Sequence, residues 1–249
     1  MVLELIIAAT VAVSLISLVG VAFLSLGKKT TDRLLFYLVS FSTGTLLGAA
    51  FFDLLPEAIE AGQAVSVLEV AFIGVLIGFV VETLIHWHHH NAAGEKEHHH
   101  PHPLGTLTLV GDGMHNFFDG VAIAAAFLVD VPLGITTTMA IALHEIPQEI
   151  GDFGLLLYSG YSKARALLFN LFSAVTAVAG GVLFFFFSGA VEHFASYALA
   201  FTAGMFIYIA AADLLPELHK EKRAKSSAIQ LVLMALGALL IWLIARFLE

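Results

Sequence analysis

Apolar residues run along most of this chain in blocks of about 20 residues or more, the length that spans a bilayer as a helix. Eight such blocks, at roughly 3–26, 34–57, 68–90, 104–128, 133–158, 165–188, 194–217 and 227–248, predict eight transmembrane helices. Helices are expected rather than a barrel because the blocks are continuously apolar instead of alternating. The first block exceeds a signal-peptide core and lacks both a basic leading region and an Ala-x-Ala site, so it is expected to remain as a span. The fold class predicted is an all-α integral membrane protein.

Two polar runs interrupt this pattern. His115-Asn116-Phe117-Phe118-Asp119-Gly120 lies within the fourth block, and His144-Glu145-Ile146-Pro147-Gln148-Glu149 lies within the fifth. An ionised side chain at the centre of a spanning helix costs roughly 2.5–3.5 kcal/mol on insertion scales, so such groups ordinarily face a cavity or an ion.

A repeat frames those two blocks. Phe41-Ser42-Thr43-Gly44, followed by Asp53-Leu54-Leu55-Pro56-Glu57, recurs at a constant offset and without a gap as Phe201-Thr202-Ala203-Gly204 and Asp213-Leu214-Leu215-Pro216-Glu217. The chain crosses the membrane an odd number of times between the copies, so they run in opposite directions. This predicts an inverted repeat of spans 1–3 and 6–8 around a central pair, spans 4 and 5, an arrangement that supports alternating access. Asp53 and Glu57 then fall near one face and Asp213 and Glu217 near the other, where carboxylates would concentrate cations; capping of the helix ends is the plainer reading of each residue alone.

Charge orients the bundle. Lys28, Lys29 and Arg33, then Lys96, then Lys163 and Arg165, then Lys220, Lys222, Arg223 and Lys225 follow odd-numbered spans, whereas connections 61–67, 129–132 and 189–193 hold no Lys or Arg. The positive-inside rule places the odd-to-even loops in the cytoplasm and both termini outside; Arg246 alone departs from the pattern. The chain is 59% hydrophobic and 12% charged, against about 45–50% and 25% in soluble domains. A net charge of -9 without a basic face excludes a nucleic-acid footprint, and the absence of cysteine excludes thiolate metal sites and disulfides. One transport domain is expected over 1–249, carrying a cytoplasmic His-rich loop at about 86–103. His86, His88, His89, His90, His98, His99, His100 and His102 make that loop a metal-capturing or regulatory tract, or a linker with no required role.

The chemistry concentrates on spans 4 and 5. Entering from opposite faces, they bring His115 and His144 to nearly the same depth, about 16 Å at 1.5 Å per residue. Residues four apart share a helix face, so His115 converges with Asp119, and His144 with Gln148. Asn116 and Glu145 sit one position on and line an adjoining second site, and Glu149 closes the candidate ligand set. Pro147 removes a backbone donor and frees the carbonyl of Leu143. Two imidazoles, a carboxylate and an amide oxygen suit a borderline divalent cation such as zinc, whereas magnesium or calcium sites are all oxygen. Asp112 and Asp152 lie nearer the ends of their spans and serve either the path or solvation alone.

Two other functions are compatible with these residues. His144-Glu145-x-x-Gln148 is one residue short of the His-Glu-x-x-His helix of zinc proteases, which would make the chain an intramembrane hydrolase with His115 or Asp119 as third ligand. A passive divalent-cation channel would present a similar ligand set. The expectation favours a carrier without catalytic residues.

Eight spans, the His-rich loop between spans 3 and 4, His-Asn-x-x-Asp-Gly on span 4 and His-Glu-x-Pro-x-Glu on span 5 together resemble the ZIP (Zrt/Irt-like) family of metal transporters, and the resemblance covers essentially the whole chain. The run from His144 to Phe153 is most similar to the LIV-1 branch, whose motif reads His-Glu-x-Pro-His-Glu followed by Gly-Asp-Phe. The resemblance implies uptake of zinc, and in some members iron, manganese or cadmium, across a plasma or inner membrane into the cytoplasm. It implies two transported ions, one on His115, Asp119 and Gln148, the other on Asn116, His144 and Glu145. It also implies an elevator-like movement of the span 4/5 region against a scaffold that forms a homodimer. Gln148 departs from the pattern, standing where the family carries His or Glu.

Overall fold

The computed structural model describes residues 1–23, 28–92, 103–188, 194–219 and 224–248. Those residues form helices and short turns, in eight rods that match the eight blocks to within a few residues. The first rod is α1 (Val2–Ser14), a 3₁₀ turn (Leu15–Leu18) and α2 (Val19–Phe23). The second is α3 (Lys28–Ala49), a π-helical turn (Ala50–Leu54) and α4 (Leu55–Ala61). Single helices α5 (Ala64–Ala92), α6 (Pro103–Val129) and α7 (Val131–Tyr158) follow. The sixth rod joins α8 (Lys163–Ala174) to α9 (Thr176–Phe187). The seventh is α10 (Phe194–Ile209), a second π-helical turn (Ala210–Leu214) and α11 (Leu215–His219), and the last is α12 (Ala224–Leu248).

Five stretches among the described residues are long and apolar enough to cross a membrane: Arg33–Ala61, Ala64–Thr83, Lys163–Phe187, Phe194–Ala212 and Ser226–Phe247. Val2–Leu18 is apolar but shorter. Helices α6 and α7, at 27 and 28 residues, are long enough to cross; their polar runs are what dilute their apolar character. The chain is a multi-pass membrane protein. The His-rich tract from His98 to His102 lies outside the described residues, and the α5 backbone stays helical through His86–His90 to Ala92.

The sequence repeat is written into the backbone. Each copy carries a π-helical turn immediately before its Leu-Pro-Glu segment. The cause is Pro56 and Pro216: each ring lacks an N–H and crowds the carbonyl four residues back, and a locally widened turn relieves the conflict. In both, the closing amide reaches five residues back, from Leu55 to Ala50 and from Leu215 to Ala210.

The correspondence extends beyond the motif read in the sequence. Helix α1 ends at Ser14 and α8 ends at Ala174, positions that the same offset relates, and Ser14 Oγ donates to the Ala174 carbonyl at 2.7 Å. Packing follows the same symmetry: α3 lies along α12, and α10 lies along α5. A Cβ at Gly44 would fall on the backbone of Met234 in α12, and one at its counterpart Gly204 would fall on the backbone of Ala71 in α5. Both helix pairs therefore pack backbone to backbone, the close approach that small residues permit within a bilayer.

The apolar core lies at one end of the α6–α7 hairpin. Ala122 to Phe127 of α6 and Leu133, Ala140 and Ile141 of α7 pack with Leu46, Leu54, Leu199 and Phe206. The polar runs begin where this core stops.

Candidate metal centre

Only Asp130 separates α6 from α7, which makes the two helices antiparallel neighbours. Asp130 caps α7 by accepting from the Leu133 amide at 2.6 Å, and Pro132 stands in the first turn, where its missing N–H costs nothing. His115 lies nearly as far before the end of α6 at Val129 as His144 lies after the start of α7 at Val131. Matched arms from a tight turn bring the two imidazoles to one level.

The imidazoles meet. Their Nε2 atoms are 3.1 Å apart and their rings cross edge to face. Asp119 Oδ2 lies 3.6 Å from His115 Nε2 and 3.3 Å from His144 Nε2; Glu145 Oε1 lies 3.4 Å from each. One ligand atom from each of His115, Asp119, His144 and Glu145 falls within 4.8 Å of all the others. His144 Nδ1 donates to the Ala140 carbonyl at 3.2 Å, which turns Nε2 and its lone pair inward, as is usual for a metal-binding imidazole. Asp119, His144 and Glu145 are buried, and His115 is the member that a cavity reaches.

That cavity, about 410 Å³, lies between α5, α6, α7 and α10. Its polar wall includes Glu82, Asp112, His115, Gln148, Asp152 and Tyr208. A smaller space of about 10 Å³ adjoins His115 and Asp119 and is lined by Phe118, Phe201, Thr202 and Phe206.

The sequence-derived residues divide accordingly. His115, Asp119, His144 and Glu145 come together; Gln148 stands on the cavity wall beside His115; Asn116 and Glu149 are buried on the flank away from the imidazole pair. On that flank Asp112 Oδ1 accepts from Asn116 Nδ2 at 2.9 Å, and Asp112, Glu145 and Glu149 form a second group of converging carboxylates. Asp112, whose role the sequence left open, is therefore at the centre rather than at a helix end. Reading the sequence missed Asn170 and Ser173 of α8: Asn170 Nδ2 donates to Glu149 Oε2, and Ser173 Oγ donates to Asp112 Oδ2 at 2.5 Å. Their signal was present as an amide and a hydroxyl one helical turn apart in an apolar span. Reading it also missed the hydrogen bond from Tyr208 to Glu82 on the cavity wall. Asp53 and Glu57 line a separate cavity of about 490 Å³ together with Glu60 and Arg246. The side chains of their repeat counterparts, Asp213 and Glu217, lie outside the described residues.

A family model described as ZIP zinc transporter matches residues 3–107 and 103–245. The chain belongs to the ZIP zinc transporter family. The zinc transporter ZIP13 of Pongo abelii is 34% identical over 233 residues, 85% of this chain and 67% of the relative. Zinc transporter ZIP10 of Danio rerio is 44% identical over 115 residues, 46% of this chain and 14% of the relative. The IAA-alanine resistance protein 1 of Arabidopsis thaliana is 44% identical over 137 residues, 54% of this chain and 29% of the relative. The chain thus spans between about a seventh and two thirds of the length of these relatives. ZIP is a family of transporters, not of enzymes, and the near-match to a protease helix at His144 carries no hydrolase function.

Proposed function

We propose that this ZIP chain carries divalent cations, zinc foremost, across its membrane through the cluster between α6 and α7. The observation that carries this reading is the convergence of four ligand atoms from His115, Asp119, His144 and Glu145 within 4.8 Å at the end of a cavity. Two imidazole nitrogens with two carboxylate oxygens match the borderline softness and four-coordinate habit of zinc. Transport removes the hydration shell of the ion, and the cluster replaces it with donors that the helices already hold in place. The ion is the cargo; iron, manganese and cadmium are its competitors.

The cavity that reaches His115 and the inverted repeat support alternating access. The cavity lies toward the ends of α5 and α7 and the start of α6, which the distribution of Lys and Arg assigns to the cytoplasm, with both termini outside. Cargo released by His115 would leave past Asp112, Gln148 and Asp152 into that compartment. Entry from the other face requires an elevator-like displacement of the α6–α7 hairpin against the paired helices of the repeat. The carrier is a single domain and works as a homodimer in a plasma or inner membrane; its two-ion capacity draws on Gln148 for one ion and Asn116 for the other.

Zinc-65 uptake into proteoliposomes tests the reading. Saturable uptake by the wild-type chain, lost in His115→Ala and in His144→Ala while both variants elute and melt as folded protein, is the expected result. Unchanged uptake in both variants would overturn the site.

A further inference from the structure

A groove of about 500 Å³ runs between α6 and the rod formed by α8 and α9. Leu109, Val110, Met114 and Phe117 line it from α6, Phe169 and Phe172 from α8. These side chains open away from the bundle: Phe172 is 77% exposed, and Val110, Met114 and Phe169 are exposed as well. Two hydroxyls also line the groove, and both are engaged. Ser173 Oγ donates to Asp112 Oδ2, and Thr176 Oγ1 donates to the Gly113 carbonyl at 2.6 Å. What the groove offers a ligand is therefore apolar surface.

One end of it is different. The membrane-length stretch of α8 and α9 begins at Lys163, and Arg165, Phe169, Phe172 and Thr176 follow one another along one face at helical spacing. At 1.5 Å per residue Phe169, Phe172 and Thr176 lie about 9, 14 and 20 Å below Lys163, the depth of the acyl chains in one leaflet of a core about 30 Å thick. At the shallow end Tyr161 packs edge to face on Phe169, with 5.7 Å between ring centroids, and its hydroxyl lies 3.3 Å from Thr106 Oγ1. Such an amphipathic ring sits at headgroup level. Lys163 and Arg165 are exposed there, and α8, α9 and the 159–162 connection contain no Asp or Glu.

We infer that this groove holds an anionic phospholipid, with one acyl chain against Phe169, Phe172 and the α6 wall and the phosphate on Lys163 and Arg165. Basic residues at the membrane surface attract an anionic headgroup, and the apolar trough below them takes the chain. A second copy of the protein suits the face less well. Two copies inserted in the same direction pair about an axis along the membrane normal, which would bring both sets of Lys163 and Arg165 to one depth, like charge against like. The bound chain would lie on the α6–α8 seam, where Ser173 lines the groove and also holds Asp112. The inference is independent of the proposed cargo and needs only that α6 and α8 span a membrane.

Native mass spectrometry of the full chain, released from detergent after titration with phosphatidylglycerol or phosphatidylcholine, tests it. The wild type should retain one phosphatidylglycerol about 10–30-fold more tightly than phosphatidylcholine, the gain expected from two basic residues. Lys163→Gln/Arg165→Gln should abolish that preference. Val110→Trp, which fills the groove and leaves both charges in place, should abolish tight retention of phosphatidylglycerol. Size-exclusion and melting profiles identify a variant that fails to fold, in which case Phe172→Ala, which removes part of one wall, decides by weakening retention. An unchanged preference in the charge variant overturns the inference, as does wild-type retention in Val110→Trp. A dimer that Val110→Trp dissolves would assign the groove to a second copy instead, and displacement of the lipid by inorganic phosphate would reduce the site to one for a free anion.

Discussion

Ser42 Oγ donates a 2.7 Å hydrogen bond to the carbonyl of Leu143, the acceptor that Pro147 leaves without its helical donor. A residue of the repeated helix α3 thus fills the gap in the helix that carries His144 and Glu145. Its counterpart in the second copy of the repeat, Thr202 of α10, lines the small space beside His115 and Asp119. One copy of this position thus bonds α7, and the other borders a space that α6 residues also line.

Replacing Ser42 by Ala leaves the Leu143 carbonyl without its side-chain donor, which costs about 1–3 kcal/mol for a buried group. Ser42→Ala should therefore lower the melting temperature in detergent, whereas Ser42→Thr, which keeps a hydroxyl, should restore most of the loss. Zinc affinity at the imidazole pair should change little, since no ligand is removed. Equal melting temperatures for Ser42→Ala and wild type would show that the bond contributes nothing.

Gln148 offers the second test. It lines the cavity beside His115, where a weak amide donor stands in place of an imidazole. Gln148→His adds a nitrogen ligand of the kind zinc prefers and should tighten zinc binding by about tenfold, or roughly 1.4 kcal/mol. Tighter binding should also slow release, so uptake at saturating zinc should fall as affinity rises. A calorimetric titration that overlays the wild type would make Gln148 a bystander.

How far the sequence carried depended on what kind of interaction was at stake. The eight rods, the inverted repeat and the pairing of His115 with His144 were legible because hydrophobic length, a constant offset and helical periodicity are local properties. The consequence of Pro147 for Leu143 was legible for the same reason; Ser42 as the group that answers it was not, because it comes from 101 residues away. Asp112 was ambiguous, and the partner of Glu149 was hidden, since Ser173 and Asn170 lie on a third helix whose rotation no single-helix pattern reveals. The extension of the repeat to Ser14 and Ala174 was invisible because the two residues differ in type and share only a backbone position.

The close approach of the paired repeat helices gives a third prediction. A Cβ at Gly204 meets the backbone of Ala71, and one at Gly44 meets that of Met234, so neither can be accommodated by a side-chain rotation. Gly204→Val and Gly44→Val should each destabilise the fold by at least about 1–3 kcal/mol through overpacking. If the two copies are structurally equivalent, the losses should be similar and should add in the double variant, because the contacts lie on different helix pairs. A large loss at one position and none at the other would break the equivalence.

The chain has no cysteine, so any cysteine introduced is a unique reporter of access. Thr108 lines the 410 Å³ cavity, and Thr202 is buried beside the small space that His115 and Asp119 also line. With the cavity open, a membrane-impermeant maleimide should label Thr108→Cys from the cytoplasmic side and leave Thr202→Cys nearly unreacted. In the proposed carrier the α6–α7 hairpin closes the cavity and opens the other face when zinc is moved, so labelling of Thr108→Cys should slow while Thr202→Cys becomes reactive from the other side. The two rates should move in opposite directions because one rearrangement governs both. A channel would behave differently: an open pore exposes both positions at once, and zinc would slow labelling at both by occupancy alone. Opposed changes identify a carrier, and parallel changes would replace it with a pore.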